Sequence, residues 1–574
     1  MASAVIVDAD MVAALRDAVR ECGDRGLINA FKWASELLLG IPDQKRRAPP
    51  PPNEAVAAPI TQPRHANAPR LQSLPENVRR QEKEWEEEDR DYITTARALF
   101  DGKDFVRAVH WLRTCKSAKA QFLSVYSQYM ASEKQALRDW YKLDKTRHQP
   151  ILPVNTSLID LLEMVRNATD PFLLFLKALF LCRLNRREEA IESALLSIAS
   201  YPWNWSTWMV LGECLGDSEE LSSMLPLLPL PPTHPLVQMF QIKTLNTFHS
   251  PTDNELGLCD RLLGEELFPR SLWIMSLRAG VLYHMHDFNQ AATQFQKIFA
   301  VDPYRIDDID IYSNILYVTE DQSALSTVAH EFTIIDKDRP EICCLIGNYF
   351  SLRNDHEKAI KYFKRATQLD RTYLSAWTLM GHEYVETKNS HAAIEAYRKA
   401  VDVNRKDYRA WYGLGQAYEL LSMHQYALHY YQRATALRPY DVRIWQAQGI
   451  CYEEMGRPRE AMECFKRALI GADPYETNIH LKLAKLHNDL DEFAEAASYH
   501  RRVMDVCQAA RDLVLAKELL EPIASSNAEE VGQATELLKR ARIALAKMQA
   551  DAAQAQSQTQ APHGAGGTSQ AGGV

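Results

Sequence analysis

Between residues 340 and 470 the large, small and polar positions recur on a fixed ruler. Gly347, Gly381, Gly415 and Gly449 follow one another at a constant interval, and so do Ala359, Ala393, Ala427 and Ala461. Phe363, Tyr397, Tyr431 and Phe465 keep the same phase, as do Ala366, Ala400, Ala434 and Ala468. Trp377, Trp411 and Trp445 fall four residues before three of the glycines, and Phe350, Tyr384, Tyr418 and Tyr452 fall three after all four. Bulky, tiny and bulky side chains at i, i+4 and i+7 share one stripe of a helix, so a neighbouring helix can approach closely at the glycine. This predicts a first helix, A. Alanine, aromatic and alanine at the same spacing predict a second helix, B, whose small residues flank a large one and interdigitate with the first stripe. Pro439, eight residues after Tyr431, and Asp473-Pro474 one repeat later stop helix B.

A helix pair of about 34 residues in tandem is the pattern of the tetratricopeptide repeat, and it predicts an all-α right-handed superhelical solenoid. Weaker copies extend it. Ala178, Ala190, Pro202, Trp208 and Gly212 match in the N-terminal half, and Gly280, Tyr283, Ala291, Phe295 and Pro303 match with one residue deleted from the inter-helix turn. Ala96, Leu99, Ala108, Leu112 and Cys115 fit a further copy, and Leu483, Ala484 and Ala496 continue the array with a one-residue slip. Residues 306–338 have helical length but poor columns and read as a degenerate repeat. The expected organisation is a helical segment over 1–41, a Pro-rich linker over 42–80, an N-terminal array over 81–240, a partly degenerate middle over 241–338, a regular array over 339–507, closing helices over 508–550 and a Gln/Ala/Gly/Ser tail over 551–574. The linker holds nine prolines between Pro42 and Pro75, and neither it nor the tail has the apolar content of a core.

A 574-residue chain with 46% hydrophobic and 25% charged residues has the composition of a folded protein, too long for one compact core. Its net charge of -9 disfavours a whole-protein nucleic-acid or anionic-membrane binder and points to protein partners. The most apolar stretch, Pro171 to Leu184, is broken by Lys177 and Arg183, so no membrane span is expected. Ten scattered cysteines without a CxxC pair suit a reducing compartment.

Beside the buried columns runs a second stripe of helices A: Asn348 and Ser351, His382 and Glu383, Tyr412, Gln416 and Glu419, then Gln446 and Glu453. Amides, carboxylates and a phenol on the inner face of a solenoid suit an extended peptide, with a carboxylate free to pair an arginine. The competing reading is that the glutamates only keep helices soluble. HExxH, GxxxxGK[ST] and GxSxG are all missing, Gly413 and Gly415 read as packing glycines, and His284 with His286 lack a third ligand. No active site, cofactor or metal is expected.

The runs CCLIGNYFSLRNDHEKAIKYFKRA (343–366), AWTLMGHEY (376–384) and RAWYGLGQAYELL (409–421) include positions that a repeat leaves free. With RGL...KWASEL (25–37), FLSVYSQYMASEK (122–134) and DPFLLFLKALFL (170–181), they resemble subunit eight of the anaphase-promoting complex, the cell division cycle protein twenty-three family. That resemblance implies a non-catalytic scaffold of a multisubunit ubiquitin ligase controlling mitotic exit, in the nucleus and cytoplasm. It implies a homodimer through the N-terminal repeats, contacts with the other repeat and scaffold subunits, and a C-terminal groove that receives an arginine-containing motif of a WD-repeat coactivator. Asn348 and Glu383 match the groove positions for that arginine. The alternative is a tetratricopeptide co-chaperone or other peptide-binding adaptor; a co-chaperone clamping an acidic tail needs a basic groove, and the glutamates of the stripe argue against it.

Overall fold

The computed structural model describes residues 7–47, 76–142, 153–473, 476–509 and 539. Most of the expected linker, nearly all of the closing helices and the whole tail lie outside them. Among the described residues the chain is helical, with no strand. It divides into two compact units, one of Met1–Thr387 with Arg398–Asp407 and one of Lys388–Tyr397 with Tyr408–Val574.

The building block of both is an antiparallel helix pair, and its turn has one recurring construction. His286, Glu320, Asn354, Lys388, Ser422 and Gly456 all have positive φ, between 55° and 70°, and each stands one repeat period from the next. Only the last is glycine. At Asn354 the turn closes as helix A ends, with the Asn354 N–H donating to the Ser351 carbonyl and the Asp355 N–H to the Phe350 carbonyl. This pair of bonds satisfies the last carbonyls of helix A through a left-handed residue. Asp355 then caps helix B at once, its carboxylate accepting from the Lys358 N–H. Asp287 and Asp321 cap in the same way two repeats and one repeat earlier.

The first unit contains the pairs Leu272–His284 with Phe288–Val301, Ile309–Val318 with Gln322–Asp336, and Pro340–Leu352 with His356–Leu369. Gly347 permits the Phe363 ring to lie against its helix, where a β-carbon would collide with the ring. In the second unit Gly415 and Gly449 do the same for Tyr431 and Phe465, and all three aromatic rings are fully buried. Gly413 stands outside the glycine column because it serves a second ring, Tyr397 of the preceding helix B. The tryptophans of the pattern are not core residues, contrary to the reading from spacing. Trp377 and Trp445 are half-buried, and their indole N–H groups donate to the carbonyls of Arg371 and Pro439 six residues earlier, at 2.9 and 2.7 Å. A ring with one polar edge sits best where that edge can close the preceding turn.

The N-terminal segment forms its own helix pair, Ala9–Asp24 and Ile28–Leu39, and docks along the first unit. Trp33 stacks on Trp205 with centroids 4.7 Å apart and meets Trp273 edge-on at 6.0 Å. Arg97 Nε donates to the Gly23 carbonyl, Lys119 pairs with Asp24 at 2.8 Å, and the Arg25 guanidinium lies 3.9 Å from the centre of the Phe172 ring. At the other end Glu36 pairs with the buried Arg305 at 3.1 Å. The segment therefore ties together repeats from Arg97 to Arg305. Residues 398–407 belong to the same unit because their last turn reaches back: the Lys406 ammonium donates to the carbonyls of Glu213 and Leu215. No helix among the described residues is long and apolar enough to cross a membrane.

Candidate functional site

In the first unit three successive A helices are joined side by side by polar side chains. Asn348 uses both amide protons, donating to Ser313 Oγ at 2.9 Å and to Asn314 Oδ1 at 2.8 Å on Ile309–Val318. The Ser351 hydroxyl donates to Glu383 Oε1 at 2.6 Å on the next A helix, Leu374–Glu386, and the Tyr317 hydroxyl lies 3.3 Å from the same serine oxygen. His356 Nδ1 is 2.8 Å from Glu383 Oε2. Each oxygen of the Glu383 carboxylate thus has one partner. Such partners are what a carboxylate 5% exposed requires, since burying it unbonded would cost several kcal/mol, on the order of a lost ion pair. Its two oxygens together accept about four hydrogen bonds, so capacity remains for a guanidinium.

Beside this ladder Asp310 accepts from the Tyr373 hydroxyl at 2.8 Å and from Ser375 Oγ at 3.4 Å. Burial raises the Asp310 carboxyl above the usual range, and burial with Asp310 as its neighbour holds the Tyr373 hydroxyl well above its own. The phenol therefore keeps its proton at neutral pH.

Of the residues expected at the groove, Asn348 and Glu383 belong to this ladder, and Asn348 is only 3% exposed. His382 is exposed, about 100° around the helix from its neighbour Glu383. In the second unit Tyr412, Gln416 and Glu419 form their own group. Gln416 Nε2 donates to the Tyr412 hydroxyl at 3.4 Å, and the Tyr412 ring lies 5.5 Å from that of Tyr431. The buried Tyr431 hydroxyl donates to Glu419 Oε2 at 2.6 Å, so Glu419 satisfies a core phenol. Burial, then the carboxylate, raises the Tyr431 hydroxyl far above the ordinary tyrosine value. Glu453 pairs with Lys485 at 3.1 Å.

Sequence reasoning missed Ser313, Asn314, Tyr317, His356, Asp310 and Tyr373. A signal existed: Asn314 and Tyr317 stand one repeat period before Asn348 and Ser351. Among the described residues no group of three or more His, Cys, Asp or Glu is placed to hold a metal ion. His284 instead faces His249, their rings 4.7 Å apart.

Residues 10–279 match the family described as anaphase promoting complex subunit 8 / Cdc23, and tetratricopeptide-repeat families match 340–373, 378–442 and 442–469. Over 10–279 the chain is thus similar to the anaphase-promoting complex subunit 8/Cdc23 family. The Arabidopsis thaliana protein "Anaphase-promoting complex subunit 8" is 38% identical over 371 residues, 61% of this chain and 61% of its own length. "Anaphase-promoting complex subunit CDC23" of Saccharomyces cerevisiae is 30% identical over 62% of this chain and 66% of its own. The Homo sapiens "Cell division cycle protein 23 homolog" is 37% identical over 54% of this chain and 46% of its own. The chain thus spans less than two thirds of the length of these relatives. A solved structure titled "Crystal structure of APC/C hetero-tetramer Cut9-Hcn1" superposes with a TM-score of 0.51 over 78% of this chain and 88% of that one, at 17% identity, a likeness of fold.

Proposed function

We propose that this chain is a member of the subunit 8/Cdc23 family and a non-catalytic scaffold subunit of the anaphase-promoting complex, a ubiquitin ligase, working in the nucleus and cytoplasm. The observation that carries the reading is the family match over residues 10–279, joined to a fold that is helix pairs from end to end of the described residues. Chains of this kind offer extended side-chain ridges to partners and no enclosed pocket for chemistry. In this reading the chain forms a homodimer through its N-terminal repeats and contacts the other repeat and scaffold subunits. An arginine-containing motif of a WD-repeat coactivator docks by its guanidinium on the Glu383 carboxylate, which Ser351 and His356 hold in one orientation while Asn348 braces the adjoining helix. A carboxylate already oriented loses little freedom on binding, so its pairing energy goes into affinity.

Two experiments test this. Mass spectrometry of what co-purifies with a tagged chain from dividing cells is expected to recover the other ligase subunits; recovery of chaperones alone overturns the assignment. Peptides carrying the coactivator motif are expected to bind Glu383→Ala protein at least about tenfold more weakly than wild type, the loss of one charge-assisted pair. Equal binding removes Glu383 from the site and leaves the scaffold role standing.

A further inference from the structure

Helices B carry a pattern that the peptide-facing stripe does not explain. Immediately before the buried small residues Ala366, Ala400, Ala434, Ala468 and Val503 stand the pairs Lys364-Arg365, Arg398-Lys399, Gln432-Arg433, Lys466-Arg467 and Arg501-Arg502. Gln432 is the one departure from a basic residue at ten positions, and all ten side chains are exposed. The spacing is the repeat period throughout, lengthened by a single position at the last step, where the whole array slips.

In the second unit this places Arg433, Lys466, Arg467, Arg501 and Arg502 on three successive B helices, His424–Leu437, Pro458–Gly471 and Phe493–Ala509. Glu463, one turn before Lys466 and Arg467, is an acid of the same stripe. Solubility asks for charge there but not for charge of one sign, and like charges stacked on a surface repel. Compensation of the helix dipole does not account for the first two helices, because neither has a basic residue in its last turn, where that effect acts. Two of the guanidinium groups are also held in place: Arg467 lies 5.0 Å from the centre of the Trp445 ring and Arg502 5.5 Å from that of Tyr499. A guanidinium seated on a ring keeps its N–H edges free for a carboxylate and has less freedom left to lose.

From this we infer that the B-helix stripe of the second unit is a docking ridge for an acidic, Asp/Glu-rich segment of a partner protein. Nucleic acid carries the same charge but is disfavoured twice. Arginine covers the Trp445 and Tyr499 rings and withdraws them from stacking on bases, and the chain as a whole carries -9. The ridge thus takes ligands of the opposite sign to the arginine motif assigned to Glu383.

The test is fluorescence anisotropy with the full chain, using a labelled ten-residue polyglutamate and a labelled oligothymidylate of matched charge as probes at 150 mM salt. Wild type is expected to bind polyglutamate more tightly than the oligonucleotide, and Arg433→Gln/Arg467→Gln/Arg502→Gln protein to bind it about tenfold more weakly, the loss of three exposed charge pairs. The corresponding triple Arg→Lys protein, which keeps the charge, is expected to retain most of the affinity and to show that loss in the glutamine variant is not misfolding. The inference is overturned if wild type fails to bind polyglutamate, if the glutamine variant binds it equally, or if the oligonucleotide binds as tightly.

Discussion

Replacing Gly449 with alanine sets two effects of the same residue against each other. A β-carbon there would meet Phe465 Cζ, Cε1 and Cε2 at 2.7, 2.8 and 2.9 Å, about 1 Å inside the separation at which carbon atoms attract. Phe465 is fully buried and has no room to swing away. Overpacking costs about 1–3 kcal/mol, and a clash this close against an immovable ring falls at about 2–3 kcal/mol, while alanine in a helix interior is better than glycine by about 1 kcal/mol. The net expectation is a loss of about 1–2 kcal/mol, confined to the pair Val442–Glu454 and Pro458–Gly471 and its neighbours, because repeat arrays couple mainly to the adjacent unit. Amide hydrogen exchange read by mass spectrometry on peptides of that pair measures the opening free energy directly, and exchange there should accelerate about 5- to 30-fold. Adding Phe465→Leu should give less than the sum of the two single losses, since the smaller side chain relieves the clash. Gly456→Ala is the control by a different cause: nothing lies within 4 Å of its added carbon, but its φ of +70° costs an alanine about 1 kcal/mol. Unchanged or slower exchange in Gly449→Ala would refute the packing account and leave helix propensity as the only term.

Three further expectations follow from particular contacts. Burial pushes the His234 imidazole down to about 4, and its Nδ1 accepts from the Leu236 N–H at the start of Pro235–Thr247. The folded-state value lies below the unfolded one, so this contribution is complete above about pH 6.5 and is lost as pH falls toward 4. Thermal scans should show a decline over that window that His234→Asn, which keeps a cap acceptor, flattens. Trp33→Ala removes a ring stacked on Trp205 and set edge-on to Trp273 and should cost about 3–5 kcal/mol, seen as faster proteolysis of the N-terminal helix pair. Glu320→Gly relieves a left-handed residue and should be neutral or stabilising by up to about 1 kcal/mol in denaturant melts, whereas Glu320→Val should destabilise.

The degenerate repeat at 306–338 shows what the sequence makes legible and what it hides. Its turn keeps the ruler, since Glu320 stands one repeat period from both His286 and Asn354. Its columns look poor because they are inverted. Where the next helix B has Ala359, Phe363 and Ala366, this one has Leu325, Ala329 and Phe332, all buried. Large and small have changed places and the layer is still filled, so packing survives while the recognisable letters do not. Ser313 occupies the glycine position of the column, and it is this serine that Asn348 bonds.

The same substitution explains why only half of the polar ladder was legible. The regular repeats mark their stripe by contrast with glycine and alanine columns, which is how Asn348 and Glu383 stand out from the sequence. The Asn348 partners Ser313 and Asn314, with Tyr317 beside Ser351, sit on a helix without those columns, and His356 beside Glu383 and Tyr373 beside Asp310 stand near helix starts, outside the stripe. In this repeat the glycine position of the column carries a polar residue, Ser313, which Asn348 bonds. In the first unit the weakest copy of the pattern is therefore the one that anchors Asn348 and Ser351, one step behind the candidate carboxylate, and its irregularity points to the ladder as the regular columns beside it do not.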